Sequence, residues 1–308
     1  MDTPIARPDW LDRTAWPWEV RTLAAPSGRI AYTDTGSGPT LLLVHSGTWS
    51  FIWRDLIARL ASHFRVIAFD PPAMGLSDTG DGAGIATTAD AVDALATGLD
   101  LRDVTLVLHD LGGPAGLEAA ARWPERVAGL AAVNCFGWQP SGTGFTTMLR
   151  VVGSGAFREF DAATDFLPAI SATKYGVGRH FTKTDRKTYR KGFGPRGRRS
   201  FHQNMASALH HDFAPVDAGR QALAERPILT VFGEKNDPMG FQPRWKAAGT
   251  DVEQVVVPGG LHFPMCDDPD LVARSITDWH ARKVAPRPNR PAPATPSGGT
   301  PVPSGPRG

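Results

Sequence analysis

Asp110 stands where a buried strand would turn directly into a helix. Residues 104–108 form a continuous apolar run, and residues 111–116 read Leu-Gly-Gly-Pro-Ala-Gly, a small-residue segment that opens a helical stretch. A strained turn of this kind projects one side chain above the sheet, and catalytic nucleophiles occupy that position. A carboxylate is already ionised at neutral pH, so it needs no helper base to attack. Asp110 is therefore predicted to be a nucleophile; the alternative is an aspartate that caps the helix beginning near Gly112.

Two further polar residues follow later strands in the order that a nucleophilic site needs. Asp237 comes after the strand-like residues 228–232, and His262 lies in a glycine-rich loop after residues 252–257. The carboxyl ends of parallel strands meet at one edge of a sheet, so both side chains are expected beside Asp110. A histidine that an acid orients can activate water against an ester. The predicted catalytic residues are Asp110, Asp237 and His262.

The backbone at the same edge offers donors for negative charge that develops during a reaction. One donor is the N–H of Leu111, and another comes from the loop after residues 40–44, around Gly47 and Thr48. The N-terminus of the helix near Gly112 adds a field that favours an anion. These groups are predicted to stabilise an oxyanion or a leaving group.

Alternating strand-like and helix-like segments position these residues. Short apolar runs of strand length recur along the chain at 40–44, 65–69, 104–108, 127–133, 228–232 and 252–257. Between them lie stretches whose apolar residues follow helical spacing, at 51–60, 86–99, 112–123 and 268–283. The pattern predicts an α/β fold with a mostly parallel sheet and helices on both of its faces.

Residues 137–226 interrupt this alternation and are polar and compatible with helices. A structureless loop of that length is uncommon inside a compact domain, so the segment is predicted to be a helical cap over the sheet edge. Residues 1–136 and 227–283 then form the core. The remaining residues, 284–308, are rich in proline and glycine and are predicted to be a disordered tail.

The cap contains a strongly basic stretch. Between residues 174 and 199 there are ten basic residues and one acid, Asp185. A solvated surface balanced by acidic helices elsewhere is the favoured interpretation. The alternative is a patch that attracts an anionic substrate or contacts phosphate.

Composition excludes several classes of function. The chain has 308 residues, of which 41% are hydrophobic and 21% charged, and its formal net charge of +2 argues against a dedicated nucleic-acid binder. Its two cysteines, Cys135 and Cys266, cannot build a disulfide framework and lack metal-site spacing, so neither a metal nor an organic cofactor is expected. No apolar run has the length of a membrane span, and the N-terminus does not resemble a signal peptide. We expect a cytoplasmic protein with a small-molecule substrate and no membrane or nucleic-acid partner; the oligomeric state stays open.

Four segments carry motifs that belong together. They are His-Ser-Gly-Thr-Trp-Ser-Phe-Ile-Trp-Arg at 45–54, Phe-Asp-Pro-Pro-Ala-Met-Gly-Leu-Ser-Asp at 69–78, His-Asp-Leu-Gly-Gly-Pro at 109–114 and Asn-Cys-Phe-Gly-Trp at 134–138. With the strand order, they resemble the α/β-hydrolase superfamily over about residues 20–282, the cap excepted. Within it they look most like the aspartate-nucleophile branch of haloalkane dehalogenases and epoxide hydrolases. The resemblance implies an α/β-hydrolase fold and a covalent ester on Asp110.

The chain departs from the dehalogenase pattern at the groups that hold the halide. Dehalogenases have a tryptophan directly after the nucleophile, and its N–H binds the departing halide; here that residue is Leu111, whose side chain has no donor. The loop at 45–49 is one residue shorter than the family pattern, so a second halide-binding side chain has no clean counterpart. Trp49 and Trp138 are the remaining candidates for an indole donor.

The chain also departs from the epoxide hydrolases, which use two cap tyrosines to protonate the epoxide oxygen. The cap holds only Tyr175 and Tyr189, and their local sequence matches the family motifs poorly. A carbon–halogen bond is the first expected target of Asp110, and an epoxide is the alternative. An α/β scaffold that binds a ligand or performs cofactor-free, non-hydrolytic chemistry is the alternative of another class.

Overall fold

The structure, a computed structural model, describes residues 3–78 and 83–285. Within these residues a single sheet contains nine strands. The strands are β1 (Thr3–Pro4), β2 (Arg21–Ala25), β3 (Gly28–Gly36), β4 (Thr40–Val44), β5 (Arg65–Phe69), β6 (Val104–Asp110), β7 (Val127–Cys135), β8 (Pro227–Gly233) and β9 (Asp251–Val257).

The order of strands in the sheet is β1-β2-β3-β5-β4-β6-β7-β8-β9. The pairs from β1 to β3 and the pair of β3 with β5 are antiparallel, and every pair from β5 to β9 is parallel. The central strands β4 and β6 are largely apolar because both of their faces are covered. The predicted α/β fold with a mostly parallel sheet is confirmed.

Helices connect the strands and cover both faces of the sheet. They are α1 (Arg54–Leu60), α2 (Ile85–Gly98), α3 (Gly112–Ala120), α4 (Thr143–Val152), α5 (Gly155–Thr164), α6 (Phe166–Ser171), α7 (Lys183–Gly192), α8 (Pro195–Ser207), α9 (Ala214–Ala222), α10 (Phe241–Ala248), α11 (Pro264–Asp267) and α12 (Pro269–Trp279). Side chains alternate between the faces along a strand, so Leu42 and Val44 pack with α2 and α3, whereas Leu41 and Leu43 pack with α1 and α12.

Helices α4 to α8 form the cap between β7 and β8. Helix α9 was predicted to belong to this cap, but it packs against α3 of the core. A Cβ at Gly219 would lie 1.9 Å from the carbonyl oxygen of Leu117, so only glycine permits this approach. Val216 is fully buried in the same cluster. From this packing we propose that the cap, predicted to extend to residue 226, ends before Ala214.

The last element in the described part of the chain is a π turn, His280–Val284. Val284 is buried against the core, so the fold extends past the predicted boundary at residue 283. The remainder of the predicted tail, residues 286–308, lies outside the described residues. No helix in the described part of the chain is both long and apolar enough to cross a membrane.

Candidate active site

Asp110 ends β6 in a turn that few side chains tolerate. Its φ is 51°, in the left-handed region, and α3 begins two residues later. The turn is tight because a Cβ at Gly112 would lie 2.3 Å from the carbonyl oxygen of Val44. Burial raises the pKa of Asp110 above its ordinary value of 3.8, although nearby His262 and the N–H of Leu111 act in the opposite direction. The result is a strained, half-buried carboxylate at the N-terminus of a helix.

His262 lies in the loop after β9 and faces this carboxylate. Its Nε2 is 3.9 Å from Oδ1 of Asp110. The loop is anchored from below, because Nε2 of His109 and Nδ2 of Asn134 both donate to the carbonyl oxygen of His262, at 2.8 and 3.0 Å. This contact gives His109 a structural role. The imidazole is therefore held beside Asp110, at the carboxyl ends of the parallel strands.

The neighbour of His262 on its other ring nitrogen is Asn236. Its Nδ2 lies 3.3 Å from Nδ1 of His262. The predicted orienting acid, Asp237, has a different role, because its carboxylate accepts the backbone N–H groups of Phe241 and Gln242 at 2.6 and 2.9 Å, in the first turn of α10. Among the described residues, Asp237 makes neither a hydrogen bond nor an ion pair to His262. An amide therefore takes the place predicted for a carboxylate.

Asp110 and His262 open into one cavity of about 450 Å³ between the sheet edge and the cap. Gly47, Thr48, Asn236 and His45 lie at its floor. The remaining wall is largely apolar and includes Phe136, Phe145, Met148, Val152, Leu167, Phe193 and Phe201. Such a cavity accepts a small apolar molecule and excludes much of the water around the two catalytic candidates.

A group of three hydroxyls, those of Thr48, Ser171 and Tyr189, lines the cavity. Thr48 donates to the phenol oxygen of Tyr189 at 3.4 Å, and that oxygen is 3.1 Å from Oγ of Ser171. Burial raises the pKa of Tyr189 to about 12, so the phenol keeps its proton at neutral pH. This group can donate a hydrogen bond, or a proton, to an atom held above Asp110.

The other aromatic candidates divide between the cavity and its surroundings. Tyr175 lines the cavity but is 71% exposed, which places it at the mouth. The indole N–H of Trp49 donates to the backbone carbonyl oxygen of Tyr189, at 3.0 Å. Trp138 packs against Trp245. The guanidinium of Arg244 lies over the Trp138 ring, 4.4 Å from the centre of that ring. Neither tryptophan is among the described residues that line the cavity.

Known proteins share this fold and much of this sequence. Residues 41–275 match the alpha/beta hydrolase family. The chain belongs to that family. It is 30% identical over 271 residues to a haloalkane dehalogenase of Mycolicibacterium paratuberculosis, covering 82% of this chain and 87% of that one. It is 27% identical over 278 residues to haloalkane dehalogenase 2 of Mycobacterium tuberculosis, covering 87% and 96%. The solved structure of the epoxide hydrolase CorEH superposes with a TM-score of 0.73 at 22% identity, covering 85% and 98%.

The protein is thus a hydrolase of the α/β fold. The position at which its sequence departs from the dehalogenase pattern, Leu111, lies next to the candidate nucleophile. Leu111, in the position after the candidate nucleophile, is 1% exposed and packs in the core. Its contribution to the site is its backbone N–H, which acts to lower the pKa of the Asp110 carboxyl against the effect of burial. Among the described residues, no cluster of three or more His, Cys, Asp or Glu side chains is arranged to hold a metal ion.

Three residues of this hydrolase site escaped the sequence analysis. Asn236 was passed over because it adjoins Asp237, and neighbouring residues after a strand point in different directions. Ser171 had no motif to mark it. His45 lines the cavity, and its Nδ1 accepts the N–H groups of Ser46 and Gly47 at 2.7 and 3.1 Å. Burial lowers the pKa of His45 to about 3, so it stays neutral; its place directly after β4 was the available signal.

Proposed function

We propose that this hydrolase works through a covalent ester between Asp110 and a carbon atom of its substrate. An oxygen of the Asp110 carboxylate attacks the carbon, and the leaving group departs with the bonding electron pair. Water then attacks the carbonyl carbon of the ester and gives a proton to His262, so that an alcohol leaves and the carboxylate is regenerated. The observation that carries this proposal is the 3.9 Å separation of Asp110 Oδ1 and His262 Nε2 inside one apolar cavity.

We assign Asn236, rather than Asp237, as the positioning residue for His262. The oxygen and nitrogen of an amide are interchangeable by a half-turn, and with Oδ1 toward Nδ1–H of His262 the other ring nitrogen is unprotonated and faces Asp110. That tautomer is the one a general base needs. A neutral amide stabilises the imidazolium less than a carboxylate does. Because the imidazolium forms when His262 takes a proton from water, ester hydrolysis is the slow step, and ester formation is not affected.

The substrate proposed first is a small apolar molecule with a carbon–halogen bond. The full-length relatives that are haloalkane dehalogenases favour this leaving group. The wall of the cavity is suited to an alkyl chain, because it is built from phenylalanine, methionine, leucine and valine. The N-terminus of α3 begins two residues after Asp110 and supplies a field that favours a departing anion.

An epoxide is the second candidate substrate, and the three hydroxyls of Thr48, Ser171 and Tyr189 favour it. When the C–O bond of an epoxide breaks, the oxygen needs a proton, and the phenol of Tyr189 lines the cavity and carries one at neutral pH. Tyr189→Phe removes that proton and keeps the ring. We expect it to slow epoxide opening by about tenfold to a hundredfold and haloalkane cleavage by less than about threefold. Parallel steady-state assays with the two substrates measure this; equal loss with both would contradict the assignment.

The decisive experiment traps the ester. His262→Gln should form it and fail to hydrolyse it. The purified variant is incubated with a haloalkane, an epoxide and a carboxylic ester of matched chain length, and the intact mass and tryptic peptides are measured. A stable adduct on Asp110 is expected from one of the first two. Asp110→Asn is the negative control, and His210→Gln, at an exposed histidine away from the cavity, is the matched positive control for hydrolysis. A variant that binds these compounds without any adduct on Asp110 would instead support a non-hydrolytic role.

A further inference from the structure

Helix α7 has two chemically different sides. Its inner side carries Tyr189 into the catalytic cavity and brings Gly192 against Trp49, where a Cβ would lie 2.2 Å from the indole. Its outer side is exposed and cationic. Lys183, Lys187 and Lys191 recur at intervals of four residues, so their side chains form one stripe along the helix.

This outer side forms one wall of a surface depression of about 560 Å³, which we call the cap basic pocket. The residues that line it are Lys183, Arg186, Lys187, Arg190, Lys191 and Arg198, together with Asp165, Gly194 and Pro195. Six cationic side chains therefore surround one carboxylate, in a chain whose formal net charge is only +2. The charge is concentrated here by the fold.

Arg198 is the buried cation of this pocket. It is 8% exposed, and its guanidinium donates to Asp165 and to the carbonyl oxygens of Phe193 and Ala162, at 3.1, 3.2 and 2.7 Å. Its Nε is buried and has no hydrogen-bond partner within residues 3–78 and 83–285. A buried donor without an acceptor is unfavourable, so this guanidinium keeps hydrogen-bonding capacity that its protein partners do not use.

The single carboxylate does not neutralise the cations around it. Asp165 is shared between Arg190 and Arg198. Arg186 donates to the carbonyl oxygens of Ala172 and Gly178, at 3.1 and 3.2 Å, and these contacts leave its charge uncompensated. The three lysines of the stripe form no ion pair in the described part of the chain. Like charges held this closely repel one another, and a bound anion relieves that repulsion.

We propose that the cap basic pocket binds a ligand with two or more phosphate groups. Planar guanidinium groups and mobile ammonium groups in one pocket suit several phosphate oxygens at once. Six cations exceed what a single carboxylate or halide requires, and the volume admits a group of at least diphosphate size. The source is either a free polyphosphorylated compound or the phosphate headgroups of an anionic lipid surface. The site lies outside the catalytic cavity and does not depend on the proposed reaction.

The test measures binding of pyrophosphate, orthophosphate and sulfate to the full chain by isothermal titration calorimetry at low ionic strength. The test variant is Lys183→Gln/Lys187→Gln/Lys191→Gln, whose three side chains are exposed. Its matched control is Arg13→Gln/Arg102→Gln/Arg274→Gln, which removes the same charge from exposed positions elsewhere. Sedimentation with phosphatidylglycerol or phosphatidylcholine vesicles forms the second arm.

Saturable binding of pyrophosphate, about tenfold tighter than that of orthophosphate, is expected in the native chain and in the control. The lysine variant should lose about tenfold or more in affinity. If pyrophosphate binds weakly but phosphatidylglycerol vesicles bind and only the lysine variant loses them, the headgroup is the source. The proposal is overturned if neither probe binds saturably, or if both triple variants lose affinity equally. An unchanged melting temperature and far-UV circular dichroism spectrum show that both variants are folded.

Discussion

The turn that carries Asp110 and the loops that carry Asn236, Asp237 and His262 lie at the same edge of the sheet, yet they differ in what fixes them. The turn is fixed by backbone: a positive φ of 51° and a close approach between Gly112 and β4 allow Asp110 one position. The loops are joined to each other by backbone hydrogen bonds, such as that of Lys235 N–H to the carbonyl oxygen of Gly260, but the position of His262 also depends on side chains, since His109 and Asn134 both donate to its carbonyl oxygen.

This difference separates the two proposed steps of the reaction. The Asp110 turn keeps the geometry that ester formation needs, including the N–H of Leu111 on the carboxylate. In the loop region, the amide of Asn236 lies beside His262. The carboxylate of Asp237 instead accepts backbone N–H groups in the first turn of α10. A backbone constraint is insensitive to the exchange of one side chain, whereas a side-chain partnership changes with a single substitution. The rate of ester formation should therefore change little when a residue of the loops is substituted, whereas the rate of ester hydrolysis should change strongly.

The largest effect is expected from Asp110→Asn. The amide is a poor nucleophile, so ester formation should fall by about 10⁴-fold or more, as read from intact mass against time. The same variant should melt at a higher temperature. Burial raises the folded-state pKa of Asp110, so the ionised carboxylate destabilises the fold above that pKa, and the destabilisation disappears as the pH falls below the unfolded value. A lower melting temperature at neutral pH would contradict the burial argument.

Asn236→Asp should change only the second step. A carboxylate beside Nδ1 of His262 stabilises the imidazolium, so ester hydrolysis should accelerate by about tenfold to a hundredfold. The rate of ester formation in a single-turnover experiment should stay within about twofold, because Asp110 and its turn are unchanged. Acceleration of both steps together would mean that the amide also restrains the nucleophile.

The pH dependence of ester formation should report on Asp110. Its pKa is raised by burial, so on the acid side the ionised fraction falls at a pH above the ordinary aspartate value of 3.8. Below that folded-state pKa the rate should drop about tenfold for each pH unit. Single-turnover ester formation, measured in His262→Gln so that the second step does not interfere, gives the profile. An acid limb at or below 3.8 would show that the helix N-terminus outweighs burial.

The smallest catalytic effect is expected from Asp237→Ala. This change removes the acceptor for two backbone N–H groups in the first turn of α10, and it should lower the free energy of unfolding by about 1 kcal/mol. Both reaction steps should stay within about twofold of the native rates, measured alongside thermal unfolding. A loss of ester hydrolysis that exceeds the loss of stability would make Asp237 the orienting acid after all.

The fold was largely predictable because its signals are local. Apolar runs such as 40–44 and 104–108 need burial on both faces, and this requirement alone indicates a parallel sheet. The boundary of the cap was harder to predict, because α9 is no more apolar than α4 and α5. Only the close contact of Gly219 with Leu117 assigns α9 to the core. The basic stretch was interpreted as a balanced surface, but folding gathers its lysines into one pocket with a single carboxylate.

The sequence by itself determined the chain order of the polar residues, the strand-to-helix turn at Asp110 and the loop position of His262, because all three follow from residues close together in the chain. Tertiary structure alone decided which member of Asn236-Asp237 faces the histidine. Two adjacent polar residues after a strand have the same neighbours in sequence, but α10 offers unpaired backbone N–H groups to one of them and the imidazole lies beside the other. The carboxylate pairs with the helix terminus, where it satisfies two backbone donors, and the amide is left for His262.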